Sequence, residues 1–269
     1  DSTAATPAAA PPAERRPSWL ASLKIYLQPT SLRMLALGFA AGLPLLLVLG
    51  TLSFRLREAG IDRSTIGYLS WVGLAYGFKW AWAPLVDRVP LPGLNAWLGR
   101  RRSWLLLSQL GVTAGLVGMA LADPRAGLTA VVWCALAVAF ASATQDIALD
   151  AYRIESAPTE QQPALAASYQ TGYRLAMIWA GAGVLWLAAR AQGGTAGYDN
   201  HAWQVAYLVM AASMVITTST SIMIKPPVPN DCARPISPLI KPTVLSPCAK
   251  TPAATSNITT LAKASAMPR

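Results

Sequence analysis

The chain has 269 residues, of which 54% are hydrophobic and only 13% are charged, and its formal net charge is +10. Soluble domains carry about 25% charged residues, so this charge is too sparse for an ordinary water-facing surface, and the composition indicates an integral membrane protein. The basic residues are scattered between apolar runs and do not build one face, which argues against a nucleic-acid partner.

Residues 1–30 are predicted to form a disordered leader, because they are rich in Pro and Ala and lack periodicity. The chain does not begin with Met, so the edge of a fragment is an alternative interpretation. The apolar run after Arg33 is too long for the core of a signal peptide, and more apolar runs follow. We therefore expect no cleaved signal.

Six apolar stretches follow, and each is long enough to cross a bilayer, which requires about 20 mostly apolar residues. We therefore expect an all-α membrane protein with six transmembrane helices over residues 31–216. The Gly and Pro content of these stretches is normal for membrane helices and allows close helix contacts. The predicted spans cover approximately Leu32–Ser53, Ile66–Val86, Ser103–Ala122, Gly127–Asp150, Ala166–Ala189 and Trp203–Ile224.

The distribution of Lys and Arg predicts a cytoplasmic N-terminus. The leader, the second loop and the fourth loop together carry about nine basic residues, against about five in the alternate loops. An even number of spans then returns the tail to the same side.

Residues 217–269 are predicted to be a low-order tail. Proline recurs every few residues from about Thr217 onward, and no helical or strand period survives. Our hypothesis is that the sequence after Met214 is out of frame or otherwise non-native.

Two acids end the fourth apolar run. Asp146 and Asp150 are spaced i and i+4 and Arg153 follows three residues later, so all three share one helix face. A charge at the bilayer centre costs about 2.5–3.5 kcal/mol, which favours a cavity or a partner charge. A helix end with solvated acids is the alternative.

Lys79 and Arg174 are predicted to lie at a similar depth to the two acids, on the second and fifth spans. This arrangement predicts ion pairing around an interior cavity, in which Arg174 or Lys79 binds an anionic group and an aspartate takes up a proton. Lys79 could instead extend its amine to the interface.

The second loop carries Asp87 and Arg88 after one span, and Gly99 with Arg100–Arg102 before the next. The arginines alone are explained by the positive-inside rule. The loop also resembles the motif G-x-x-x-D-R-x-G-R-R of the major facilitator superfamily, with Ala83 at the first Gly and VPLPGLNAWL inserted.

Within that superfamily, six blocks in order and with matching spacing resemble AmpG-type muropeptide permeases over about Ser31–Met214. The blocks are GLPLLL, EAGIDRSTIG, KWAWAPLVDR, LGRRRSWLL, SATQDIALDAY and GYRLAM. The resemblance implies a bacterial inner-membrane protein that imports anhydromuropeptides with protons for cell-wall recycling.

The resemblance also implies roles for particular residues. The carboxylates of an anionic glycopeptide suit Arg174 and Lys79, and its sugars suit Tyr173, Trp71 and Gln145. The loop residues Asp87, Arg88 and Arg100–Arg102, with Gly99, would form a latch at the cytoplasmic gate.

Transporters of this superfamily have two six-helix halves that hold substrate between them. The sequence supplies apolar spans for the first half alone, so transport would require a C-terminal half. The alternatives are a carrier of another large anionic solute, such as acetyl-CoA, and a non-transporting truncated membrane protein.

An enzyme is not expected, because no nucleophile–base pair, phosphate loop or metal-ligand spacing occurs. The cysteines Cys134, Cys232 and Cys248 have no paired spacing, and His201 is the only histidine. We expect no metal and no cofactor.

Overall fold

The computed structural model describes residues 26–155, 161–194 and 197–222. These residues form helices joined by short loops, with no strand among them. The predicted all-α membrane fold is therefore confirmed. Most of the predicted leader and nearly all of the predicted tail lie outside the described residues.

Six helical segments follow one another in the described residues, and we number them as spans 1 to 6. Span 1 comprises α1 (Pro29–Leu46), a π-helical segment (Leu47–Thr51) and α2 (Leu52–Glu58). Span 2 comprises α3 (Arg63–Leu69), a 3₁₀ turn (Ser70–Gly73), α4 (Leu74–Gly77), a second 3₁₀ turn (Lys79–Ala81) and α5 (Ala83–Arg88).

A short helix, α6 (Leu94–Leu98), lies in the loop that precedes span 3. Span 3 is α7 (Arg100–Leu121) and span 4 is α8 (Leu128–Glu155). Span 5 comprises α9 (Gln162–Ile178), a π-helical segment (Trp179–Gly183) and α10 (Val184–Gln192), and span 6 is α11 (Asn200–Ile222).

Span 2 differs from the continuous helix that the sequence predicts. In the described part of the chain, the other five spans are the helices long and apolar enough to cross a membrane. Phe78 (φ −91°, ψ 4°) and Trp82 (φ −108°, ψ 0°) leave helical geometry, and each ends a helical turn. Gly73, which favours helix weakly, ends a further segment, and Gly77 is the last helical residue before Phe78. Span 2 is therefore a chain of short helical turns.

Spans 1 and 5 pack in parallel through their glycines. A Cβ added at Gly38 would collide with the carbonyl oxygen of Tyr169, and one added at Gly172 would collide with the carbonyl oxygen of Leu35. The two backbones therefore touch directly, as small residues permit in membrane helices.

Spans 3 and 4 pack as an antiparallel pair, in which side chains of span 4 lie against glycines of span 3. A Cβ at Gly115 would lie 2.5 Å from Val138 Cγ2, and a Cβ at Gly118 would lie 2.6 Å from Cys134 Sγ. Cys134 is thus a packing residue opposite a glycine.

Arg55 joins three spans at one end of the bundle, although its side chain is fully buried. Its guanidinium donates to the carbonyl oxygens of Met119 (2.5 Å) and Ala122 (2.8 Å), at the end of α7. It also donates to Asn200 Oδ1 at 3.0 Å and lies 5.3 Å from the Tyr207 ring centroid. The last carbonyls of a helix have no partner within that helix, so Arg55 caps span 3. We call this end of the bundle the Arg55 end, and the opposite end the Asp87 end.

Further side chains close the Arg55 end. Trp203 Nε1 donates to Glu58 Oε2 at 2.7 Å, which joins span 6 to span 1. The Tyr198 hydroxyl donates to Asp123 Oδ1 at 3.3 Å, and the Arg125 guanidinium lies 4.6 Å from the Tyr198 ring centroid. Spans 1, 3 and 6 are therefore held together by polar groups at this end.

We expect Gly172→Ala to destabilise the protein by about 1–3 kcal/mol, because overpacking forces the two backbones of spans 1 and 5 apart. The matched control is Gly67→Ala in α3, where an added Cβ meets no atom within 4 Å. Thermal unfolding of the purified chain in detergent measures both. Equal melting temperatures for the two variants would contradict the close contact.

We expect Arg55→Met to lower the free energy of unfolding by about 1–3 kcal/mol or more, because buried carbonyls at the end of α7 lose their donors. Arg57→Met, two residues further along α2 and exposed, is expected to change it by less than about 0.5 kcal/mol. Chemical or thermal denaturation measures the difference. A neutral Arg55→Met substitution would show that Arg55 does not hold span 3.

Candidate functional site

Lys79 and Asp146 form an ion pair between spans 2 and 4. Lys79 Nζ lies 3.9 Å from Asp146 Oδ2, and the two side chains are 38% and 19% exposed. Lys79 belongs to the second 3₁₀ turn of span 2, and Asp146 lies within α8. The structure thus brings together two of the four charges that the sequence places at one depth.

The other two charges do not join this pair. Asp150 Oδ1 lies 3.5 Å from Nη2 of Arg153, one turn along the same helix, and its side chain is 52% exposed. Arg174 is exposed, and its Nη1 lies 4.0 Å from the Met177 sulfur. Within the described residues Arg174 forms no ion pair. Asp150 and Arg174 therefore lie on open faces of the bundle.

Two tyrosines of α9 line the space beside the acids of span 4. The rings of Tyr169 and Tyr173 lie 6.3 Å apart, and both residues lie within electrostatic range of the Asp146 carboxylate. The Arg153 guanidinium lies 5.5 Å from the Tyr169 ring centroid. Tyr173 is partly buried, and it stands next to Arg174 on span 5.

A tryptophan fixes the broken part of span 2 beside Lys79. Trp82 Nε1 donates to Thr144 Oγ1 at 3.2 Å, and the Trp82 ring lies 5.1 Å from the Phe140 ring. Both partners belong to α8, two to six residues before Asp146. This anchor holds the Lys79 turn against span 4.

Two buried glutamines lie in spans 3 and 4. The side chains of Gln109 and Gln145 are fully buried, and their amide oxygens and nitrogens have no hydrogen-bond partner among the described residues. Such groups are costly when they are left unpaired. The sequence assigns Gln145 to the sugars of a substrate, but its full burial means that a solute could reach it only after the helices rearrange.

The predicted gate residues lie at the Asp87 end. Arg101 Nη1 donates to Asp87 Oδ1, which ties the end of span 2 to the start of span 3. Trp104 Nε1 adds a 3.0 Å bond to the carbonyl oxygen of Val89 in the same loop. The aspartate of the motif, Asp87, therefore contacts Arg101 within this chain.

The glycine of the motif has a conformational role. Gly99 has φ +78° and ψ 161°, a backbone conformation that favours glycine, and α7 begins at the next residue. Its carbonyl oxygen accepts hydrogen bonds from Ser103 N (3.1 Å) and Ser103 Oγ (2.8 Å). Arg88 and Arg100 are exposed on either side of the loop, and Arg102 is partly buried.

Sequence reasoning counted Arg55 as a loop charge and missed its buried role. A signal for it exists, because Thr51, Leu52, Arg55 and Leu56 repeat at helical spacing, and all four are buried. No group of three or more His, Cys, Asp or Glu side chains that could hold a metal ion occurs in the described ranges.

Comparison with known proteins shows which transporters the chain is similar to. Residues 31–124 match the family described as acetyl-coenzyme A transporter 1. The chain is 38% identical to the anhydromuropeptide permease of Escherichia coli (strain K12) over 225 residues, which is 84% of this chain and 43% of that protein.

Other relatives show the same partial coverage. The chain is 34% identical over 195 residues to the putative transporter AmpG 4 of Rickettsia felis, covering 72% of this chain and 45% of the relative. It is 41% identical over 152 residues to an uncharacterized protein of Haemophilus influenzae, covering 56% of this chain and 35% of the relative. The chain thus spans less than half the length of these relatives.

The E. coli and Rickettsia relatives and the matching family are named as a permease or a transporter, which agrees with the interpretation that the chain is not an enzyme. The resemblance predicted from the ordered sequence blocks is confirmed. The chain is a multi-pass membrane protein homologous to AmpG-type permeases.

Proposed function

We propose that this chain is the first half of a proton-coupled importer of anhydromuropeptides in the bacterial inner membrane, with its N-terminus in the cytoplasm. The observation that carries the proposal is the ion pair of Lys79 and Asp146 between two spans of a permease homologue. Charges within membrane helices are costly and usually serve transport or proton transfer.

The pair provides a means of coupling. Protonation of Asp146 removes its charge and releases the Lys79 ammonium, which can then bind a carboxylate of the substrate. Departure of the substrate restores the attraction between Lys79 and the aspartate, and this favours release of the proton. Proton and substrate thus act on the same two side chains, and each affects binding of the other.

Arg174 and Asp150 are proposed to serve on the face that meets the second half. Both side chains are exposed in the described bundle, as expected for the wall of a cavity between two halves. The planar donors of Arg174 suit a second carboxylate of a glycopeptide, and the neighbouring Tyr173 ring suits a sugar face. Gln145 would contact substrate or water only in another conformation.

The loop at the Asp87 end is proposed to act as the cytoplasmic latch. The contact between Asp87 and Arg101 fixes the ends of spans 2 and 3, and the exposed Arg88 and Arg100 remain available to the opposite half. A C-terminal half, whether part of the same protein or supplied separately, completes this gate.

A carrier of acetyl-CoA is the second candidate, because residues 31–124 match the acetyl-coenzyme A transporter family. Both solutes are large and anionic, so the same charges suit either one. Uptake of the two solutes in one assay separates these functions, and a truncated protein without activity takes up neither.

The proposed function is tested in E. coli cells that lack their own anhydromuropeptide permease. The chain is expressed alone or with the second half of the E. coli permease, and uptake of radiolabelled anhydromuropeptide and acetyl-CoA is measured. We expect uptake of the muropeptide only in the presence of the second half. As a control, the E. coli first half is expressed in the same split form. Uptake by the control pair without uptake by this chain would contradict the proposal.

The role of the ion pair is tested in the same cells. We expect Asp146→Asn and Lys79→Met each to reduce proton-driven uptake about tenfold, equivalent to about 1.4 kcal/mol, because each removes one member of the coupled pair. Arg190→Gln, at the Arg55 end, is the control and is expected to transport normally. Normal uptake by both pair variants, still abolished by a protonophore, would remove the pair from the mechanism.

A further inference from the structure

A cavity opens at the Arg55 end, far along span 2 from the Lys79 turn. Its volume is about 310 Å³, and it lies between the end of span 1 and the start of span 2. The residues that line it are Gly50, Ser53, Phe54, Arg57, Arg63 and Ile66. We call this cavity the outer pocket.

Helical spacing directs both arginines into the outer pocket. Gly50, Phe54 and Arg57 are spaced i, i+4 and i+7 on span 1, and Arg63 begins α3 on span 2. The turn between them is short and ordered, since Gly60 has φ +88° and Ile61 N donates to the Leu56 carbonyl oxygen at 3.0 Å. Arg57 and Arg63 therefore line the same cavity from two adjacent spans.

The acids nearest in sequence to these two arginines, Glu58 and Asp62, form hydrogen bonds with other groups. Glu58 accepts a hydrogen bond from Trp203 Nε1 at 2.7 Å. Asp62 caps α3 and accepts bonds from the hydroxyls of Ser64 and Thr65 and from Thr65 N. These hydrogen bonds lower the pKa of Asp62 to about 2. Neither acid forms an ion pair with Arg57 or Arg63 in the described part of the chain.

The two arginines of the outer pocket differ from their neighbours at this end. Arg55 donates to the carbonyls of span 3, Arg125 stacks on Tyr198, and the Arg190 guanidinium lies 5.4 Å from the Trp186 ring centroid. Arg57 and Arg63 form no ion pair, side-chain hydrogen bond or ring contact in the described part of the chain. Two guanidinium groups without a contact partner in the described residues therefore line one cavity.

From this arrangement we infer that the outer pocket binds one anionic oxygen group, a carboxylate or a phosphate. Each guanidinium presents five N–H donors and no acceptor, in a fork that matches two oxygens of such a group. The Ser53 hydroxyl donates to the Leu49 carbonyl oxygen at 2.7 Å, so the donors available to a ligand are those of the arginines. The exposed Phe54 ring supplies an apolar wall for the rest of the ligand.

This site is separate from the Lys79–Asp146 pair and goes beyond the proposed function. Two sources could supply the anionic group: a soluble anion in the water at the Arg55 end, or the headgroup of an anionic phospholipid. Both present the same oxygens to the arginines, so experiments with each source are needed to tell them apart.

Binding is measured with the full chain in lipid nanodiscs. In one arm the nanodiscs contain only phosphatidylcholine, and N-acetylglutamate or inorganic phosphate is titrated by calorimetry. In the other arm phosphatidylglycerol is added, and the number of phosphatidylglycerol molecules retained by the protein is counted by native mass spectrometry. The variants are Arg57→Gln/Arg63→Gln and, as a control at the same end, Arg190→Gln.

We expect wild type and Arg190→Gln to bind alike in at least one arm, and Arg57→Gln/Arg63→Gln to bind about tenfold more weakly in that arm or to lose the retained lipid. The arm that shows the loss identifies the source of the anion. Wild-type behaviour of the double variant in both arms, or no binding by wild type in either, overturns the inference.

Circular dichroism and the melting temperature check that the double variant folds. If the double variant does not fold, binding is measured with Arg57→Lys/Arg63→Lys instead. Lysine keeps the charge but lacks the two-pronged donor geometry of arginine. Weaker binding by this pair supports the site, and unchanged binding in both arms overturns it. Transport plays no part in these measurements, so the proposed function is tested independently.

Discussion

A charge inside a membrane needs an opposite charge, hydrogen-bond partners or contact with water, and this constraint shapes both ends of the bundle. Lys79 and Asp146 meet the requirement with each other, between spans 2 and 4. Arg55 meets it differently, with the carbonyl oxygens at the end of span 3 and the Asn200 side chain of span 6. Protonation of Asp146 would break the first contact, whereas the partners of Arg55 are neutral oxygens that do not titrate, and the guanidinium itself stays charged. We therefore expect the contact between Lys79 and Asp146 to be reversible and the hydrogen bonds of Arg55 to stay formed.

Close helix packing makes the reversible pair possible. The glycines of spans 1 and 5 bring two backbones into contact, and those of span 3 let Val138 and Cys134 of span 4 pack against its backbone. Span 2 is the exception, because its helix is broken around Phe78 and Trp82. Lys79 lies between these breaks and is held to span 4 through Trp82 and Thr144. A break in one helix beside a continuous helix is a suitable place for a contact that must open and close.

Much of this could be predicted from the sequence, because apolar length and charge depth are properties of the chain alone. The spans follow from hydrophobic runs, and the meeting of Lys79 with Asp146 follows from their similar depth. The break in span 2 could not be predicted from apolar length, which does not specify the backbone angles of Phe78 and Trp82. The partners of Arg55 depend on three-dimensional packing, which hydrophobic periodicity does not specify. The pairing of Asp150 with Arg153 is local, and it agrees with the helix face that their spacing predicts.

The central claim is that substrate and proton act on Asp146 together. Infrared difference spectroscopy tests it directly, because a protonated carboxyl group has its own stretching band. The protein, completed by its second half, is exposed to anhydromuropeptide, and the spectrum is compared with that of the Asp146→Asn variant. The account predicts that substrate binding produces a protonated carboxyl band that the variant lacks. A band that is absent, or that is the same in the variant, would contradict it.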